Sequence, residues 1–93
     1  MRYVTKPVYL DAIQFQYSPA GIEALQEFTD GHVIRHGPRR LPTMGGFAYV
    51  KFPDQILIID EGDYVIKWLN TGEYYNMPEK EFREKFDPIE NTL

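Results

Sequence analysis

The 93-residue chain contains no cysteine. Disulfides, thiolate metal sites and cysteine nucleophiles are excluded at once, and a reducing, cytoplasmic setting is expected. Long apolar runs are missing too. No window approaches the roughly 18 apolar residues of a membrane span, and the opening Met-Arg-Tyr-Val-Thr-Lys-Pro holds no run of signal-peptide length, so no membrane role is expected. Serine occurs once, as Ser18, and no Gly-x-Ser-x-Gly elbow exists for a nucleophile. Acid is absent from a whole stretch: none lies between Asp30 and Asp54, where Arg35, Arg39, Arg40 and Lys51 all fall. The next ten residues reverse the sign, with Asp54, Asp60, Glu61 and Asp63 and no base. The net charge of −4 argues against general nucleic-acid binding.

Apolar residues make up 43% of the chain and aromatics 15%, which supplies a core for a single domain over residues 1–93. A domain this size buries only about 60–65% of its unfolded surface, so a homo-oligomer is expected to help it.

The elements read as strand, helix, several strands, helix. "PVYLDAIQFQY" is strand-like, with Val8, Leu10 and Ala12 alternating before Ile13, Phe15 and Tyr17 take over the opposite parity. Either a β-bulge absorbs the flip or the strand is buried on both faces. "SPAGIEALQEFTDG" predicts a helix: Ser18 caps it, Pro19 sits where no N–H is needed, Ile22, Leu25 and Phe28 form a stripe, and Gly31 takes the left-handed C-terminal position. "HVIR" predicts a short strand and "HGPRRLPTMGG" a loop of about ten residues, a length uncommon in compact domains unless it serves a function or is disordered. "FAYVKF", "ILII", "YVIKWL" and "EYYNM" predict four more strands, with "ILII" central because both its faces are apolar and "NTG" at 70–72 turning a hairpin. "PEKEFREKFDP" predicts a short second helix between Pro78 and Pro88, and the tail "IENTL" is expected to fray. The expected class is α+β: a mostly antiparallel β-sheet of about five to six strands with one longer and one short helix.

Catalytic chemistry finds little here. His32 and His36 are four apart, but no acid in their stretch completes a metal site. The carboxylates of "DEGD" fall in an exposed turn, whereas a catalytic acid wants burial. No catalytic residue, metal or cofactor is expected, and the chain does not read as an enzyme; a small nucleotide-cleaving activity using His36 or His32 as base is the catalytic alternative. Anion binding is the stronger pattern. Arg35, His36, Arg39 and Arg40 lie near flexible glycines, and arginine forks suit phosphate. The backbone amides of Gly45 and Gly46 are further donors. Tyr49, Trp68 and Tyr74 are candidates for stacking a base, among several strand aromatics. The same residues also suit a protein interface.

The placed motifs carry a resemblance. Lys6, Pro7 and Val8; Ala12, Gln14 and Phe15; Gly62, Asp63, Tyr64, Val65, Ile66 and Lys67; Gly72, Glu73, Tyr74 and Tyr75; and Phe82, Phe86, Asp87 and Pro88 follow a pattern similar to small accessory proteins of tailed phages and prophages. The chain departs from it at Glu61, where such proteins often have proline, and in the "RHGPRRLPTMGG" segment, which the pattern lacks. No site residues come with the resemblance. It implies a phage-encoded accessory protein in the host cytoplasm, and many of those act by binding a host component or signal. Two partners follow as expectations: a phosphorylated nucleotide of cyclic or ADP-ribose type, sequestered between subunits to blunt host antiviral defence, or a host protein inhibited directly. A virion or assembly component is a further alternative.

Overall fold

Ser18 starts the first helix as its sequence predicts. In the computed structural model, which describes residues 9–38 and 45–86, its Oγ accepts the Gly21 N–H at 3.0 Å and Pro19 opens α1 (Pro19–Phe28). The end of α1 differs from expectation. Asp30, at φ 55°, takes the first left-handed position, and Gly31, at φ 81°, takes the second. The Asp30 N–H then reaches the Glu27 carbonyl at 3.3 Å and the Gly31 N–H the Gln26 carbonyl at 2.8 Å, which is the paired closure of a Schellman end. Thr29, fully buried at this end, donates its hydroxyl to the Leu25 carbonyl at 2.8 Å.

Among the described residues, six strands and a second helix complete an α+β fold: β1 (Leu10–Gln14), β2 (Val33–Pro38), β3 (Gly46–Lys51), β4 (Ile56–Asp60), β5 (Tyr64–Trp68), β6 (Tyr74–Met77) and α2 (Glu79–Lys85). All ladders are antiparallel, and the strands form two sheets, ordered β1-β5-β6 and β2-β3-β4. Where one continuous sheet would need a backbone ladder between β4 and β6, side-chain amides bridge instead. Asn76 donates to the Ile58 carbonyl at 2.9 Å and Gln55 to the Tyr74 carbonyl at 3.0 Å.

The main core lies between the two sheets and α1, built from Phe15, Leu25, Ala48, Val50, Phe52, Ile59, Val65 and Tyr74. The first sheet has a second covered face. Tyr64, Ile66 and Trp68 share one side of β5 by parity, and there Tyr64 stacks on Phe82 of α2 with centroids 4.1 Å apart. Trp68 meets Phe86 edge-on at 5.9 Å, and Phe82 packs against Phe86 at 5.2 Å. β5 is thus buried on both faces, with Val65 and Ile66 fully inaccessible.

Of the two readings of β1 the second holds, and two further expectations are corrected. β1 runs in unbroken register from Leu10↔Trp68 to Gln14↔Tyr64, so its change of parity reflects two covered faces, and no bulge interrupts it. The irregularity sits in β2, between Val33 and Arg35. β4 is not central: β3 is, and β4 forms the edge, leaving Ile56 and Ile58 exposed at 54% and 47%. The ten-residue loop is shorter than its composition suggests, because His36, Gly37 and Pro38 extend β2 and Gly46 begins β3. Proline at the strand end loses no ladder donor that matters there. The hairpin at 70–72 forms as expected, with Gly72 at φ 76° and its N–H donated to the Trp68 carbonyl at 2.7 Å. The strand residues Pro7 and Val8, the helix stop at Pro88 and the tail lie outside the described residues.

Candidate binding surfaces

Five of the seven candidate residues lie among the described residues, and these five, Arg35, His36, Tyr49, Trp68 and Tyr74, do not share one surface. Arg35 and His36 stand on β2, both exposed, and line a groove of about 760 Å³ against Pro19, Ile22, Glu23, Gln26 and Glu27 of α1. His36 sets its ring edge-on to Tyr17 with centroids 6.3 Å apart. Among the described residues, Glu23 and Glu27 line this groove together with Arg35, so carboxylates and a guanidinium share its lining. Arg39 and Arg40 lie outside the described residues. Gly46 is buried beneath Tyr17, and its carbonyl accepts the Glu61 N–H at 3.0 Å.

Tyr74 belongs to the core. It is 7% exposed, stacks on Phe52 with centroids 4.6 Å apart, and donates its hydroxyl to the Phe28 carbonyl at 3.2 Å. The reason is register. Tyr74 pairs with Lys67, so it faces the opposite side of the sheet from Trp68. No single ligand stacks on both.

Trp68 lines a second groove, of about 700 Å³, between α2 and the first sheet. Tyr75, Met77 and Phe86 line it too, along with Glu73, Glu81 and Lys85. It shares no lining residue with the α1–β2 groove. The Tyr75 hydroxyl donates to the Glu73 carboxylate at 2.7 Å. That hydrogen bond, with the negative charge behind it, raises the Tyr75 pKa above the ordinary phenol value. Lys85 is held by Glu81 at 2.9 Å.

Tyr49 belongs to a third surface, the outer face of β2-β3-β4. Along β3, Gly46, Ala48 and Val50 are buried, while Phe47, Tyr49 and Lys51 face away from the core. Register places Arg35, Tyr49 and Ile58 in one row across the three strands, with Lys51 beside Ile56 in the next. Among the described residues neither Arg35 nor Lys51 has an ion-pair partner. Sequence reading missed Ile56 and Ile58 because an unbroken "ILII" carries no alternation to separate an outer from an inner face. The signal available was the flanking pair: Lys51 opposite Ile56 and Asp60 opposite Phe47 are charges that mark an outward parity.

His32 is tied into the structure at the end of α1. His32 donates from Nδ1 to the Thr29 carbonyl at 2.6 Å and lies 4.8 Å from the Phe52 ring centroid. Among the described residues no group of three or more histidines and acids is placed to hold a metal ion. No described helix is long and apolar enough to cross a membrane. Comparison with family models, curated proteins and solved structures gives no match to this chain.

Proposed function

We propose that this chain is a non-catalytic binding protein that engages a protein partner through the outer face of β2-β3-β4. One observation carries the reading: Ile56 and Ile58, 54% and 47% exposed, share the outer face, Ile58 in register with Tyr49 and Arg35 and Ile56 in register with Lys51. Exposed aliphatics gathered around an aromatic and an arginine match the composition of interface centres. Among the described residues Arg35 and Lys51 carry no ion-pair partner, which favours a partner whose rim is acidic. The phage-like motif pattern suggests a host protein as that partner, and inhibition of a defence or host-takeover component as the outcome.

The competing reading is sequestration of a phosphorylated nucleotide. Among the described residues its support is Arg35 and His36, which share their groove with Glu23 and Glu27. Trp68 lines the other groove, so one ligand meeting both Arg35 and Trp68 requires a site assembled between two copies. Calorimetry of purified protein against cyclic and ADP-ribose-type nucleotides separates the readings. The protein-partner account expects no saturable heat, and tight binding lost on Arg35→Ala overturns it in favour of sequestration.

A further inference from the structure

The groove beside α2 has chemistry of its own. Its walls are apolar and aromatic: Trp68 and Phe86, edge-on at 5.9 Å, and the exposed ring of Tyr75. Its charges are two carboxylates, Glu73 and Glu81, against one ammonium, Lys85, which Glu81 already pairs at 2.9 Å. Among the described residues Glu73 has no cationic partner. The Tyr75 hydroxyl that bonds it orients the carboxylate without neutralising it.

We propose that this groove receives the basic side chain, lysine or arginine, of an extended peptide segment on a partner protein. Aromatic faces attract a cation through their quadrupole, and the Glu73 carboxylate accepts a charge-assisted hydrogen bond from the same head group. An anionic ligand meets the opposite field, since among the described residues the lining carries one more acid than base. Size selects the source. A volume of about 700 Å³ exceeds a single head group and suits several residues of chain. The site is distinct from the β2-β3-β4 face, so either stands or falls without the other.

Trp68 is the only tryptophan in the chain, so its emission reports this groove alone. The test is a fluorescence titration of the full protein with the capped tripeptide Gly-Arg-Gly, with Gly-Glu-Gly and Gly-norleucine-Gly as controls at matched ionic strength. The expected result is a saturable change with the arginine peptide only. Glu73→Gln weakens it about two- to fivefold, the scale of an exposed ion pair. Lys85→Gln, which frees Glu81, tightens it; a general structural disturbance weakens binding in both variants. No saturable change, an equal response to the norleucine or glutamate peptide, or a Lys85→Gln effect of the same sign as Glu73→Gln overturns the proposal.

Discussion

The Tyr17 ring fills the space that any side chain at Gly46 would need: a Cβ there would stand 2.2 Å from the Tyr17 Cγ. Three distant segments meet at this point. Tyr17 leads into α1, Gly46 opens β3, and Glu61 follows β4, its carboxylate accepting the Tyr17 N–H and its own N–H bonding the Gly46 carbonyl. Gly46→Ala therefore drives a methyl group into the near edge of the Tyr17 ring, which must shift to admit it. Chemical denaturation is expected to show a loss of at least about 1–3 kcal/mol. An unchanged midpoint contradicts the packing described.

Tyr74 tests the boundary between core and site. Tyr74→Phe removes the hydroxyl bond to Phe28 and is expected to cost about 0.5–1.5 kcal/mol. Tyr74→Ala removes the ring stacked on Phe52 and is expected to cost about 3–5 kcal/mol. Both are read from thermal or denaturant unfolding. A Tyr74→Ala variant of wild-type stability would return this residue to the surface.

Gln26 guards the edge of β2. Its amide oxygen accepts the Val33 N–H at 2.9 Å and its amide nitrogen donates to the Val33 carbonyl at 3.4 Å, much as a neighbouring strand would. Exposed strand edges invite pairing with other chains. Gln26→Ala is expected to speed hydrogen exchange at the Val33 amide, to lower stability by about 0.5–1.5 kcal/mol, and to raise the concentration-dependent association seen by light scattering. Unaltered exchange at Val33 would show that the side chain protects nothing.

The Tyr75 phenol is expected to ionise above the ordinary value of 10.0, first because its hydroxyl bonds Glu73 and next because that carboxylate is charged. A raised value in the folded state favours the neutral phenol. Any stabilisation by this contact is therefore present below the unfolded value and lost as pH rises through the folded one. Difference absorbance titration of the wild type against Tyr75→Phe isolates this phenol, and Glu73→Gln is expected to bring it back toward 10.0.

Local sequence signals suffice where a single element decides the outcome. Ser18 and Pro19 mark the start of α1, Gly72 the hairpin, and Phe82 and Phe86 the buried side of α2. Reading failed where the answer depended on how elements pair. "ILII" looks central because apolarity alone does not say that β3 takes the middle place, and the split into two sheets depends on Asn76 and Gln55 reaching across β4 and β6. The site suffered for the same reason. Trp68 and Tyr74 both read as strand aromatics, yet the Lys67↔Tyr74 register sends them to opposite faces. His36 read as part of a flexible loop, although the ladder with β3 runs through it to Pro38.

The most direct measurement is native mass spectrometry of the protein expressed in host cells and purified gently, with Ile58→Asp prepared in parallel. Ile58 is 47% exposed and its aspartate replacement leaves the core untouched, so folding is expected to survive. The account predicts a protein partner in fixed stoichiometry with the wild type, absent from Ile58→Asp and restored by Ile58→Val. Equal capture by both proteins, or a retained small molecule with no protein partner, contradicts it.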